Sequence, residues 1–173
     1  MIKLGVIFGG MSTENEVSEK SANSVINNLD KSKYEIFPIY IDKNGNWFEY
    51  ENKKPIENIV NYLKNLDVIF PILHGLYGED GTVQGMLELL KIPYVGCGII
   101  ASSTGMDKTY TKIIFEKANI NQAKHIYIKD FEEDKVTLVE ADLEEKKMNL
   151  EDVIKLINNN LKFPLFIKPS RSG

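Results

Sequence analysis

The stretch from Val68 to Gly85, VIFPILHGLYGEDGTVQG, joins a buried-strand signal to a histidine, a glycine-studded acidic loop and a helix start. Val68, Ile69, Phe70, Ile72 and Leu73 form a short apolar run of the kind found in a parallel sheet covered on both faces. Pro71 has no amide to give, which argues against a fully bonded central ladder at that point. Gly75, Gly78 and Gly81 allow sharp turns, and Asp80 or Thr82 is placed to cap a helix with Val83, Met86, Leu87 and Leu90 on its apolar face. The carboxyl end of a strand thus opens into a crevice. Open α/β sheets bind their ligands there.

The preceding chain supplies the neighbours of that strand. Leu4 to Phe8 is an apolar run stopped by Gly9-Gly10, and MSTENEVSEKSANSVINNL follows. Thr13 and Glu16 have capping-box spacing, and Val17, Ser21, Ala22, Val25 and Leu29 define a narrow helical face. Tyr34 to Ile41 alternates as a strand does, and Lys43-Asn44-Gly45-Asn46 turns it into Trp47 to Tyr50. Pro55 to Leu66 has helical character, and Ile92 to Val95 is a further short strand closed by Gly96-Cys97-Gly98. This order implies a doubly wound α/β sheet, with a domain boundary after Gly96.

Beyond it, Ile99 to Asn119 has a helical period, with Ala101, Met106, Ile113, Ile114 and Phe115 as core candidates. Ala123 to Ile128 reads as a strand. Residues 130–149 are charge-rich, with a weak strand signal at Val136 to Val139, and read as a solvated hairpin or loop. Leu150 to Leu161 is an amphipathic helix, and Phe163 to Ile167 a final strand. That strand runs into Lys168-Pro169-Ser170-Arg171-Ser172-Gly173, the usual prelude to a phosphate cradle.

Composition narrows the function classes. A formal charge of -4 without a basic stripe argues against nucleic acid as a partner. Cys97 is the single cysteine, so neither an internal disulfide nor a cysteine zinc site is available. No apolar run approaches membrane-spanning length, and the chain opens on a strand without a signal-peptide pattern. A soluble cytoplasmic protein is expected.

The candidate chemistry divides between two regions. Glu14 lies at the first turn of the first helix, where a carboxylate either favours the helix dipole or serves as a fixed anion for a substrate ammonium. His74 is either a structural strand-end residue or a ligand contact; His125 reads as structural. No cluster of histidine and cysteine suggests a metal. GGMSTE lacks the third glycine of a dinucleotide loop, and Glu79 and Asp80 would repel phosphate in the loop after His74. The amino-terminal crevice therefore prefers a cationic or zwitterionic ligand. Lys108 and Lys112 share a helix face, the latter as a solvated charge. Lys168 ends a buried run, where its ammonium favours an anion such as phosphate.

Taken together, IFGG with STENEVS, LHGLYGEDGTVQGMLELLKIPYVGCG, ASSTGMDKTYTK and FPLFIKPSRSG resemble the D-alanine–D-alanine ligases, which are ATP-grasp enzymes. The resemblance implies a Rossmann-like (pre-ATP-grasp) parallel sheet flanked by helices over residues 1–96. Residues 97–173 would be the first part of an α+β ATP-grasp central domain. It implies that ATP and magnesium (or manganese) activate one D-alanine as an acyl phosphate, which the amine of a second D-alanine attacks. Glu14, Val17, His74 and Gly75 resemble residues of the first D-alanine subsite, with Glu14 the catalytic carboxylate. Lys108, Lys168, Ser172 and Gly173 resemble residues that meet ATP. Met11 departs from the family pattern, as does Asn119-Ile120-Asn121-Gln122-Ala123. The family's magnesium carboxylates, oxyanion arginine and second-substrate loop are expected beyond Gly173, so the chain is expected to be an amino-terminal fragment without ligase activity of its own. The resemblance also implies a homodimer through the amino-terminal domain. Alternatives are a D-alanine–D-serine or D-alanine–D-lactate ligase, or a non-catalytic doubly wound binding or dimerisation module.

Overall fold

A computed structural model describes residues 1–140 and 142–171. The chain forms two compact units, one of Met1–Asp107 with Arg171 and the other of Lys108–Ser170. Ser172 and Gly173, expected to meet ATP, lie outside the described residues. Among the described residues no helix is long and apolar enough to cross a membrane.

The first unit is built on β1 (Ile2–Gly9), the strand predicted to stop at Gly9-Gly10. After it come α1 (Asn15–Asn28), β2 (Tyr34–Ile41), β3 (Trp47–Glu49), β4 (Lys54–Pro55), α2 (Ile59–Leu63), β5 (Val68–Pro71), α3 (Thr82–Leu89) and α4 (Ile99–Met106). The sheet order is β4-β3-β2-β1-β5. β1 pairs parallel with β2 from Ile2↔Tyr34 to Gly9↔Ile41, and parallel with β5 from Leu4↔Val68 to Ile7↔Pro71. β3 and β4 extend the sheet antiparallel. Pro71 is the last residue of its ladder, so its missing amide costs nothing inside the sheet.

Alternation along β1 explains its central position. Ile7 belongs to a cluster with Ile39, Leu63, Ile69 and Leu87, whereas Leu4, Val6 and Phe8 join Ala22 and Ile72 on the opposite face. Both faces are covered, as the continuous apolar run requires. Each such fully buried aliphatic side chain contributes about 1.5–3 kcal/mol relative to exposure. The expected strand at Ile92 to Val95 is reduced to a single parallel bridge, Ile69↔Tyr94. The helix expected over Pro55 to Leu66 is confined to Ile59–Leu63, where the Asn58 side chain accepts the Asn61 amide.

The second unit contains α5 (Lys108–Lys117), β6 (Tyr127–Glu132), β7 (Lys135–Val139), β8 (Glu145–Asn149) and α6 (Leu150–Asn160). The strands form an antiparallel sheet in the order β6-β7-β8. Its buried core is Val136, Leu138 and Val153, with Leu156 and Ile157 packed beside it. Of the hairpin and loop alternatives for this charge-rich segment, the described residues form the hairpin, extended by a third strand. The Asn149 side chain accepts the Asp152 amide and starts α6.

Three further expectations change. The helical period over Ile99 to Asn119 is divided into α4 and α5 at Asp107, whose φ of -88° and ψ of 106° are extended. Ala101, Ile114 and Phe115 are exposed rather than buried in the core. Phe163 to Ile167 forms no strand, and Phe163, Phe166 and Ile167 are 74%, 87% and 97% exposed. An extended apolar segment becomes a strand only with a ladder partner, and no described strand pairs with this one.

Candidate functional site

In the first unit the carboxyl ends of β1 and β5 carry the two loops that hold Glu14 and His74. Glu14 is the N-cap of α1, and its side chain makes no cap hydrogen bond. The expected Thr13–Glu16 capping box does not form; Ser12 Oγ instead accepts the Glu14 amide at 3.2 Å. Glu16 lies 3.7 Å from Lys43 Nζ. The Glu14 carboxylate is therefore not consumed in closing its own helix.

Gly75 forms the facing wall. Its φ is 71°, and a β-carbon built there would stand 2.9 Å from Glu14 Oε2. Only glycine allows both the left-handed turn and the close approach of carboxylate to backbone. The Gly75 amide donates to Glu79 Oε2 at 2.7 Å. His74 is half-buried; its Nε2 is 3.1 Å from Ser21 Oγ, and its Nδ1 is 3.9 Å from Glu79 Oε1. Val17, expected on the covered face of α1, is 52% exposed.

Asp80 organises the rest of the loop by accepting the amides of Tyr77 and Thr82 at 2.9 and 3.0 Å. Partial burial raises its pKa, but the hydrogen bonds from Thr82 and Tyr77 outweigh burial and leave it below the ordinary carboxylate value. Gly81, rather than Asp80 or Thr82, is the N-cap of α3. The crevice thus holds carboxylates and backbone polar groups, with no described lysine or arginine paired to Glu14. That arrangement suits an ammonium or zwitterion and disfavours a phosphate.

Beside it lies a mainly apolar cavity of about 170 Å³, lined in part by Met11, Trp47, Leu73, His74 and Tyr77. On the other face of β1, Phe8, Tyr40 and Tyr50 form a cluster with ring centroids 4.9–6.0 Å apart. The Tyr50 hydroxyl donates to Glu19. That hydrogen bond, followed by burial, raises the Tyr50 pKa above its ordinary value.

Sequence reasoning missed the buried polar residues beneath the crevice. Asn15 and Ser18 are 2% and 0% exposed and share a helical face with Ala22. Asn15 Nδ2 donates to the carbonyls of Gly10 and Ile41 at 2.6 and 3.2 Å, while its Oδ1 accepts from Tyr40 at 3.1 Å. Ser18 Oγ accepts the Gly9 amide at 2.8 Å and donates to the Ile72 carbonyl at 2.5 Å. These bonds orient α1, which turns Asn15 and Ser18 inward and Val17 outward. The available signal was the i, i+3, i+7 spacing of Asn15, Ser18 and Ala22.

In the second unit the segments carrying Lys108 and Lys168 meet. The Lys108 amide donates to the Ser170 carbonyl at 2.9 Å, and Thr109 Oγ1 is 3.1 Å from Ser170 Oγ. Lys168 is exposed, not stem-buried, and its Nζ lies 5.9 Å from the Phe166 ring centroid. Among the described residues, the Phe166 ring is the partner of its ammonium. Burial, followed by the nearby Lys112 charge, lowers the pKa of His125. Ser172 and Gly173, the remaining ATP candidates, lie outside the described residues. Among the described residues, no group of three His, Cys, Asp or Glu side chains converges to hold a metal ion.

Comparison with known proteins agrees with the sequence motifs. A family model described as the D-ala D-ala ligase N-terminus matches residues 3–62 and 53–97. The D-alanine–D-alanine ligase of Clostridium acetobutylicum is 43% identical over 99% of this chain and 51% of its own length. That of Clostridium novyi is 41% identical over the same shares. The chain spans about half the length of these curated relatives. Among solved structures, the VanG D-Ala:D-Ser ligase of Enterococcus faecalis is 34% identical with a TM-score of 0.71, covering 99% of this chain and 53% of its own. The D-alanine–D-alanine ligase of Bacillus anthracis complexed with ATP is 32% identical with a TM-score of 0.61, covering 92% and 54%. With the family model matched over more than half of its residues, this chain belongs to the D-alanine–D-alanine ligase family.

Proposed function

We propose that this chain provides the first amino-acid subsite and part of the ATP site of an enzyme that ligates two D-alanine molecules into a dipeptide for peptidoglycan synthesis in the cytoplasm. The observation that carries this reading is the Glu14 carboxylate, uncommitted to its helix cap and set against the Gly75 backbone beside His74. The carboxylate receives the ammonium of the first D-alanine, and Val17, His74 and Gly75 line that subsite. Lys108 and Lys168, with Ser172 and Gly173, meet the phosphates of ATP and offset charge that develops during transfer. The D-alanine carboxylate takes the γ-phosphoryl group as ADP departs; the second amine then attacks the acyl carbon and phosphate leaves. The family's domain boundary is proposed near Gly96, with a homodimer formed through the first domain, where Leu89 and Val95 are exposed apolar side chains.

Magnesium or manganese belongs to the proposed full reaction, but the described residues supply no converging ligand set for it. The chain by itself is proposed to bind without turnover. Calorimetric titration of D-alanine into wild type and Glu14→Gln tests the subsite. Binding should weaken by about tenfold or more in the variant, as expected for losing a charged hydrogen bond. Equal affinities would remove Glu14 from the proposed role. The similarity to the VanG D-Ala:D-Ser ligase supports a second reading, in which D-serine is the acceptor. Competition between D-alanine and D-serine as acceptors for the full-length protein distinguishes the two products.

A further inference from the structure

The backbone of Glu14 is held at both ends by serines that also reach the chain leaving β5. Its amide donates to Ser12 Oγ at 3.2 Å, and Ser12 Oγ donates to the His74 carbonyl at 2.7 Å. Its carbonyl accepts the Ser18 amide at 3.0 Å, and Ser18 Oγ donates to the Ile72 carbonyl at 2.5 Å. Ile72 and His74 are two residues apart, and the carbonyl of each accepts a serine hydroxyl from the chain that carries Glu14. The β1·β5 ladder ends at Ile7↔Pro71, followed by one more bond from the Ile72 amide to the Ile7 carbonyl at 2.7 Å. Beyond that point, serine hydroxyls bridge strand ends that no longer pair directly.

The two serines differ in depth. Ser18 is wholly buried and fastens the floor, whereas Ser12 is only half-buried and lies at the level of the Glu14 carboxylate. A β-carbon at Gly75 would stand 3.4 Å from Ser12 Cβ as well as 2.9 Å from Glu14 Oε2. One hydroxyl therefore spans the interval between the turn carrying the carboxylate and the wall formed by His74 and Gly75. We propose that Ser12 is a positioning residue that sets this interval and thereby tunes affinity for the amino-acid ammonium, without touching the ligand itself. This inference rests on the D-alanine reading of the crevice.

The test uses the 173-residue chain, labelled for amide resonances, as wild type, Ser12→Ala and Ser12→Thr. In Ser12→Ala the Glu14 amide loses its acceptor, so its hydrogen exchange should accelerate and the Glu14 and Gly75 resonances should shift. The dissociation constant for D-alanine should rise about fivefold, the scale of one neutral hydrogen bond. Melting temperature should stay close to that of wild type, because Ser12 is outside the buried core. Ser12→Thr, which retains the hydroxyl, should restore both exchange protection and affinity. Wild-type exchange at Glu14 in Ser12→Ala, or unchanged D-alanine affinity, would overturn the positioning role. Absence of D-alanine binding in wild type would instead count against the ligase reading of the crevice, while amide exchange would still decide whether Ser12 forms the clamp.

Discussion

The two units solve the same problem, closing a sheet against solvent, with different resources. The first buries both faces of β1 and ties the strand ends together through Asn15 and Ser18. The second relies on a three-stranded antiparallel sheet whose buried hydrophobic residues are Val136, Leu138 and Val153. A site assembled on the first unit has its backbone fixed from below by buried hydrogen bonds. In the second unit, the segment bearing Lys168 belongs to no described strand or helix. Position is specified by packing in one case and mainly by local backbone bonds in the other.

Core truncation should separate the units most strongly. Phe8 is fully buried against Tyr40 and Tyr50, so Phe8→Ala should lower the unfolding free energy of the first unit by about 3–5 kcal/mol. Leu138→Ala should cost the second unit about 2 kcal/mol, near the lower end for leucine, because its smaller core has more room to relax. Urea unfolding followed by residue-resolved amide exchange checks both values and assigns each loss to its unit. Equal losses, or losses that spread over both units alike, would break the contrast.

Much of the first unit was legible because its strands are apolar in runs and its turns carry glycines. The rotation of α1 was not legible, because its inward face begins with Asn15 and Ser18, polar residues that periodicity alone assigns to solvent. The second unit concealed its sheet for the opposite reason. Most residues of β6 and β8 are exposed, and only β7 carries a buried run, so backbone pairing rather than hydrophobic burial defines the outer strands. Glu14, His74 and Gly75 were legible as a candidate crevice from their strand-end positions. Their supporting hydroxyls were not, since a serine's partners are set by tertiary geometry.

A smaller effect sharpens the contrast within the first unit. The pKa of Asp80 is lower in the folded state, so its stabilisation is present above the ordinary carboxylate value of 3.8 and is lost as pH falls through the folded value. Asp80→Ala should destabilise by about 1 kcal/mol at neutral pH through its lost amide hydrogen bonds, with solvent screening keeping the figure modest. Unfolding measured from pH 7 down to pH 3 should show the gap between wild type and variant shrinking in acid. A constant gap would mean that the carboxylate charge is not what holds the loop.

The smallest structural effect is expected at Lys168. Its side chain is exposed, so Lys168→Ala should change stability by less than about 0.5 kcal/mol. If the proposed ATP role holds, nucleotide affinity should fall while thermal unfolding remains unchanged. A matching loss of stability would place the residue among the structural supports instead.

Trp47 gives the first unit an optical property that the second lacks. It is the only tryptophan in the chain and lines the cavity beside Met11, Leu73 and His74. Its indole emission therefore responds to polarity and quenching at the crevice without competition from another indole. Selective excitation can follow the unfolding of the first unit in real time, even while the second unit is undergoing its own transition.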